Sequence, residues 1–311
     1  MRNTAFLFSG QGAQYVGMAR DVCQGYPEAA AVFALADDVL GRSISAVAFA
    51  GPEEALNQTE NTQPAVFACE IALLRVLEKR GAQAAVCAGF SLGEWAALVA
   101  AGVLSFEDAL LLVQKRAYIM QTAVPLGEGG MAVVLGKSDA EVEALCKRAG
   151  EVTPSNYNCP GQITVAGRSA GIEALLSIAE QEGIAAKRLA VSVPSHCPMM
   201  QDAADALAAA IADTPFLDAR IPVVMNCTAR AESSGAQIKK NVIAQLTHPV
   251  LFQRSTETML GMGITDFVEI GPGKTLCGLV KKTAKLTDAD VRLFRSDSLD
   301  AITTWEAAYA E

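Results

Sequence analysis

Residues 84–93 read AAVCAGFSLG, and the organisation of the chain can be worked outward from them. Ala84–Phe90 is a short apolar run, the pattern of a buried strand. It breaks at Gly89-Phe90-Ser91-Leu92-Gly93 into a helical pattern that starts near Ser91. A GxSxG tract between a strand and a helix is the signature of a nucleophile elbow. The tight turn needs glycines, and it lifts the serine hydroxyl out at the helix N-terminus. Free backbone N–H groups and the helix dipole there favour a developing oxyanion. A plain structural turn is the competing reading.

The same alternation of short apolar runs and longer helical patterns extends to both sides. Thr4–Ser9 reads as a buried strand, and Pro27–Leu40 and Thr62–Arg80 as helices. Ser105–Ala123 is a further helix, with Ser105, Glu107 and Asp108 suited to a capped first turn. After Pro194 the pattern resumes with helix Met199–Ala212 and strands Ile221–Met225, Asp266–Ile270 and Val291–Arg295. Strands alternating with helices predict an α/β fold with a mainly parallel sheet covered on both faces.

The middle of the chain departs from this. Gly127-Glu-Gly-Gly130 reads as a flexible link, followed by strand Met131–Leu135 and helix Ala140–Arg148. Strands Val152–Tyr157 and Gln162–Ala166 flank the turn Asn158-Cys-Pro-Gly161, then come helix Gly171–Glu182 and strand Ala186–Val191. The order β-α-β-β-α-β is that of a ferredoxin-like unit. The expected organisation is a small subdomain, 127–196, inserted into a larger domain formed by 1–126 and 197–311.

Composition limits the chemistry. The chain has 311 residues, 51% of them hydrophobic, which suffices for a large core and excludes disorder as the dominant state. A net charge of −9 argues against general nucleic-acid binding, which needs a basic surface. No apolar run approaches the roughly 18 residues of a membrane span. The N-terminal stretch reaches Gly10 and Gln11 too soon to hold a signal peptide's apolar region. Eight scattered cysteines with no CxxC pair then suggest reduced thiols in a cytoplasm, mostly buried as small hydrophobes. With only two histidines, a multi-histidine metal site is nearly excluded.

A serine nucleophile needs a base, so the histidines compete. His196 sits in the rigid loop Val193-Pro-Ser-His-Cys197 leaving the small unit, as a site residue would. His248 sits in Thr247-His-Pro-Val250, where the proline suggests a helix end. The reading favours His196. The loop Ser9-Gly10-Gln11-Gly12-Ala13-Gln14 fails as a dinucleotide fingerprint because position 15 is Tyr, and suits a loop offering N–H groups to an oxyanion. Gly271-Pro-Gly-Lys-Thr275 fails as a phosphate loop because position 268 is Val. Arg116, in Val113-Gln-Lys-Arg-Ala-Tyr-Ile-Met120, is either a snorkelling surface residue or a buried fork for a carboxylate. Spacing alone favours the snorkel.

Taken together, the chain resembles the malonyl-CoA:acyl carrier protein transacylase family of type II fatty acid synthesis. The blocks that carry the likeness are Phe8-Ser-Gly-Gln-Gly-Ala-Gln14, Thr62-Gln-Pro-Ala65, Gly89-Phe-Ser-Leu-Gly-Glu94 and Arg116 with Met120-Gln121. It continues through Asn156-Tyr-Asn-Cys-Pro-Gly-Gln162, Ser192-Val-Pro-Ser-His196 and Glu269-Ile-Gly-Pro-Gly-Lys274. The resemblance implies an α/β hydrolase-like domain carrying a ferredoxin-like insert, and a two-step ping-pong transfer without a cofactor. Ser91 would attack malonyl-CoA, His196 would take its proton, and the backbone N–H groups of Gln11 and Leu92 would hold the oxyanion. Arg116 would bind the free malonyl carboxylate, reversing the spacing-only reading, with Gln63 and Met120 lining the same pocket. Gln245 and the region around it would orient His196, in this family largely through a main-chain carbonyl. The family commonly has His before the nucleophile where this chain has Phe90, which touches substrate tuning and not the mechanism. The Val-Pro-Ser-His form suits malonyl better than methylmalonyl.

The implied partner, acyl carrier protein, is acidic like this chain, so docking calls for a local basic patch. Lys187 and Arg188, and Lys274, Lys281, Lys282 and Lys285, are the candidates, against a plain solvated surface for each. The family tends toward monomers. A free-standing acyltransferase for a polyketide or polyunsaturated fatty acid synthase would share every residue named. A serine esterase with the order Ser…Asp…His would need His248 as its base and leave Arg116 idle. A Ser–Asp lipase is disfavoured by the lack of any Asp-Gly dipeptide, and a non-catalytic scaffold by Ser91, His196 and Arg116 occurring together.

Overall fold

A computed structural model describes residues 3–191 and 193–310. The chain starts with β1 (Thr4–Phe8), then α1 (Arg20–Gly25), α2 (Pro27–Leu40), α3 (Ile44–Ala50), α4 (Glu53–Leu56) and α5 (Thr59–Lys79). β2 (Val86–Gly89), α6 (Gly93–Ala100) and α7 (Phe106–Thr122) follow. The middle holds β3 (Gly129–Leu135), α8 (Asp139–Ala149), β4 (Val152–Cys159), β5 (Gln162–Arg168), α9 (Ser169–Gln181) and β6 (Ala186–Arg188). A 3-10 turn, Pro198–Met200, leads into α10 (Gln201–Ile211), β7 (Val223–Val224), β8 (Ala231–Glu232) and α11 (Gly235–Ala244). The chain closes with α12 (Phe252–Gly261), β9 (Asp266–Ile270), α13 (Thr275–Leu286), β10 (Arg292–Arg295) and α14 (Leu299–Ala310).

Among the described residues, one sheet runs β10-β9-β1-β2-β7-β8, parallel except for the short antiparallel edge strand β8. β1, β2 and β9 are buried along their whole length, which is why they read as continuous apolar runs. The second sheet is antiparallel, in the order β4-β5-β3-β6, with α8 and α9 packed on a core of Val134, Val142, Leu145, Val165, Ile172 and Leu175. β4 of this sheet is tied to the segment before α12, where Tyr157 N–H donates to Val250 O at 2.9 Å and Val250 N–H to Ser155 O at 2.8 Å. Among the described residues no helix is long and apolar enough to cross a membrane.

Two glycines of the expected link are strand. Gly129 and Gly130 pair with Arg168 and Gly167 in the β3–β5 ladder. A Cβ at Gly129 would lie 2.5 Å from the Pro194 ring, so this glycine serves close packing beneath the loop that bears His196. The short helices α1, α3 and α4 and the edge strand β8 carry no clear period in the sequence; packing rather than pattern makes them.

Helix α5 begins at Thr59, before the expected Thr62, and it runs through Pro64. Proline lacks the N–H that would bond the carbonyl four residues back. That carbonyl, Glu60 O, instead accepts from Arg42 Nη2 at 2.8 Å, and Arg42 Nη2 also reaches Gln114 Oε1 of α7 at 2.6 Å. The proline thus creates an anchor between α5, which carries Gln63, and α7, which carries Arg116. Ser105 caps α7 by accepting from Asp108 N–H at 3.0 Å.

Candidate active site

At the C-terminal ends of β1 and β2 the elbow forms as the sequence anticipates. A Cβ at Gly89 would lie 2.0 Å from Gly93 C, and one at Gly93 would lie 2.2 Å from Phe8 O and 2.3 Å from Ser9 O. Glycine at both positions lets α6 start directly against β1. Ser91 between them has φ 53°, the left-handed region, at a cost of about 1–3 kcal/mol for a non-glycine residue.

The Ser91 hydroxyl sits between a base and a cation. His196 Nε2 lies 2.8 Å from Ser91 Oγ, and Arg116 Nη2 donates to the same oxygen at 3.0 Å. His196 Nδ1 lies 2.7 Å from Gln245 O. A carbonyl only accepts, so Nδ1 carries the proton and Nε2 presents its lone pair to the serine. Burial, opposed by the Gln245 bond and aided by Arg116, lowers the His196 pKa from 6.5 to about 4, so the ring is neutral at pH 7. A neutral imidazole with a free Nε2 is the form a general base requires.

Arg116 is 1% exposed, which corrects the snorkel favoured by its spacing. Its Nη1 donates to Gln63 Oε1 at 2.8 Å and its Nη2 also to Gln245 Oε1 at 3.0 Å. Burial lowers its pKa to about 10 against the pull of Glu94, so it stays charged at pH 7. Gln63 Nε2 donates to Gln11 Oε1 at 3.2 Å and approaches Met120 Sδ at 3.6 Å. One network therefore joins Gln11, Gln63, Met120, Arg116, Ser91, His196 and Gln245. The backbone N–H groups of Gln11 and Leu92 donate to no acceptor among the described residues.

Two further residues bonded to this network, Glu94 and Asn226, carry no role that the sequence reading assigned. Glu94 is fully buried; its Oε1 accepts from Gln245 Nε2 at 2.9 Å and its Oε2 from Asn226 N–H at 2.6 Å. Burial raises its pKa to about 8, against those bonds and the Arg116 charge. Asn226 accepts the Ser91 N–H at 2.7 Å and donates to Gly89 O at 2.6 Å. The only sequence signal for Asn226 is a polar residue directly after the apolar Val223-Val224-Met225. Glu94 reads as an acid in the first turn of a helix.

The remaining candidates fall elsewhere. His248 is exposed at the end of α11, bonded to Thr247 Oγ1 and Ala244 O. The Phe90 ring packs on Gly10 and lies 5.5 Å from the Phe252 ring, centroid to centroid. Lys187 and Arg188 are exposed on the edge strand β6, where Arg188 pairs with Glu173. Lys281, Lys282 and Lys285 are exposed on α13, and Lys274 at its start; Lys282 reaches Gln162 Oε1 at 3.3 Å. The Gly271–Lys274 tract leaves no phosphate cradle, since Glu269 already accepts the Leu276 and Cys277 N–H groups at the start of α13. Ser192, first residue of the Val-Pro-Ser-His block, lies outside the described residues. Among the described residues no group of three or more His, Cys, Asp or Glu side chains is arranged to hold a metal ion.

A serine on a strand-to-helix turn, a neutral histidine bonded to a main-chain carbonyl and a buried arginine thus stand together, an arrangement suited to acyl transfer. The profile of the acyl transferase domain matches residues 5–294, and the chain belongs to that family. It is 43% identical over 289 residues to the malonyl CoA-acyl carrier protein transacylase of Escherichia coli K12, covering 91% of this chain and 93% of that one. The solved malonyl-CoA:acyl carrier protein transacylase of Xanthomonas oryzae superposes with a TM-score of 0.94 at 40% identity, covering 99% of this chain and 98% of that one. A malonyl-transacylase solved in complex with a type II polyketide acyl-carrier protein gives 0.94 at 37% identity, over 98% of this chain and 99% of that one.

Proposed function

We propose that the chain moves malonyl from malonyl-CoA to the phosphopantetheine thiol of acyl carrier protein, supplying extender units for fatty acid synthesis. The observation that carries the reading is Arg116 Nη2, buried and 3.0 Å from the Ser91 hydroxyl. A cation there serves an acyl group that ends in a carboxylate; an ordinary esterase has no use for it.

In the proposed sequence Ser91 Oγ bonds to the thioester carbon while its proton passes to His196 Nε2. The Gln11 and Leu92 amides hold the oxyanion, and its collapse expels CoA as a thiol, which takes the proton back from His196. Malonate is left as an ester on Ser91, its free carboxylate on Arg116 beside Gln63 and Met120. The carrier thiol then gives its proton to His196 and attacks the ester carbonyl. Ser91 leaves with that proton. Gln245 keeps the ring in its productive tautomer throughout, and no cofactor takes part.

The reading extends to the assembly. The proposed large domain, 1–126 with 197–311, is α/β hydrolase-like, and 127–196 is the ferredoxin-like subdomain, supported by the strand order β4-β5-β3-β6. The chain would act as a cytoplasmic monomer and meet its acidic carrier through Lys187, Arg188, Lys281 and Lys282. The similarity to the transacylase bound to a polyketide carrier supports a second reading, in which the acceptor is a polyketide carrier. Intact-protein mass spectrometry after mixing with malonyl-CoA tests the transfer: malonyl should be found on Ser91 and be discharged by carrier protein. Rapid release of free malonate without carrier would sink it, and a panel of fatty acid and polyketide carriers separates the two acceptors.

A further inference from the structure

The elbow is held from the far side by Asn226, which touches neither the serine hydroxyl nor the imidazole. Asn226 ends the run from β7 and is 2% exposed. Its Oδ1 accepts the Ser91 N–H at 2.7 Å, its Nδ2 donates to Gly89 O at 2.6 Å, and its own N–H donates to Glu94 Oε2 at 2.6 Å. Its carbonyl accepts the Leu251 N–H at 2.9 Å, which ties it to the start of α12.

We infer that Asn226 is a positioning residue for the nucleophile: it consumes the Ser91 amide, leaves the adjacent Leu92 amide unpaired for the oxyanion, and holds Ser91 in its left-handed conformation. The inference rests on Ser91 being the nucleophile of the proposed transfer. The amide has one workable orientation. Turned over, its NH2 would meet the Ser91 N–H and its oxygen the Gly89 carbonyl, two repulsions in a buried site. An ionised carboxylate at this position would satisfy Ser91 N–H but oppose Gly89 O and Glu94.

The clamp also reaches the base. Glu94, which fixes the Asn226 backbone, accepts from Gln245 Nε2 at 2.9 Å, and the Gln245 carbonyl orients His196. Gln245 Nε2 further donates to Ser91 O at 3.0 Å. Nucleophile and base are therefore set by one closed set of bonds running through Asn226, Glu94 and Gln245. Loss of Asn226 frees the Ser91 amide while Arg116 keeps its grip on an acyl carboxylate.

The test measures single-turnover acylation of Ser91 by malonyl-CoA, with labelling by a serine-reactive fluorophosphonate alongside. Asn226→Ala should lower the acylation rate about 100-fold, the effect of a small misplacement of reacting groups, with KM for malonyl-CoA nearly unchanged. Asn226→Asp carries the sharper signature. Its protonated acid can accept from Ser91 N–H and donate to Gly89 O as the amide does, so activity should be present at acid pH and fall as the carboxyl ionises. Glu94, Arg116, His196 and the Cys227 thiol lie about the elbow in both proteins, so the wild-type profile is the reference. Wild-type rates for folded Asn226→Ala, or a wild-type pH profile for Asn226→Asp, would overturn the inference. Failure of the wild type to take malonyl while still taking the fluorophosphonate would instead overturn the proposed function.

Discussion

His196 Nδ1 meets the main-chain carbonyl of Gln245 at 2.7 Å, where many serine enzymes place a carboxylate. A carbonyl fixes the tautomer as a carboxylate does but supplies no full negative charge to hold an imidazolium. Burial and the neighbouring Arg116 then keep the ring neutral, with a pKa lowered to about 4.

The acid limb of activity follows from that pairing. As the proposed base, His196 must be neutral, so acylation should stay level as pH falls through the ordinary imidazole range and drop only near pH 4. Quenched-flow acylation of Ser91 between pH 4 and 8 checks this. A midpoint near 6.5 would contradict the buried, carbonyl-bound histidine. His196→Ala should abolish acylation, whereas His248→Ala, an exposed change, should leave it within about twofold.

In the proposed transfer Arg116 sets selectivity. Truncating one partner of a buried, hydrogen-bonded charge pair costs about 2–5 kcal/mol. Arg116→Ala should therefore lower kcat/KM for malonyl-CoA by roughly 30-fold or more while acetyl-CoA is accepted at least as well as before. Parallel assays with malonyl- and acetyl-CoA read the ratio, and an unchanged ratio would remove Arg116 from the acyl site.

Stability should fall with alkalinity. Glu94 has a folded pKa of about 8 against an ordinary 4.5, so the folded state holds the extra proton between these values. Its contribution is complete below 4.5 and lost as pH rises through 8. The buried Glu70 and Glu269 carboxyls are also raised by burial and act in the same sense. His196, lowered to about 4, acts oppositely, its contribution falling away as pH drops below 6.5. Between pH 6.5 and 8 the carboxyls act unopposed by it. Urea midpoints there should decline for the wild type, and the decline should be shallower in Glu94→Gln.

The elbow tolerates no side chain at Gly93. An added methyl would meet Phe8 O at 2.2 Å and Ser9 O at 2.3 Å, both backbone atoms of the neighbouring strand end. Gly93→Ala should cost about 1–3 kcal/mol or more and displace Ser91. Thermal melts and fluorophosphonate labelling would show both effects, and a stable, normally labelled variant would contradict the close approach.

The elements with a strong period are legible in the amino-acid sequence: β1, β2, β9, α2 and α7 lie within a residue or two of their sequence ranges. Ser91 is legible too, because the glycines that a tight strand-to-helix turn demands are themselves the motif. The short helices α1, α3 and α4 are not, since so few residues show no period above noise. Gly129 and Gly130 look flexible because composition does not distinguish a glycine that gives freedom from one that makes room for Pro194.

The alternation of the longer strands and helices, the elbow and the preference for His196 over His248 are local patterns, and the sequence alone determined them. The burial of Arg116 and the convergence of Asn226, Glu94 and Gln245 beneath the elbow are different in kind. Ser91 is 105 residues from His196 and 135 from Asn226 in the chain, yet each pair stands at hydrogen-bond distance. Spacing along a helix cannot say whether a cation faces water or a neighbouring helix. Only the packing of α5 against α7 decided that Arg116 points inward at the serine.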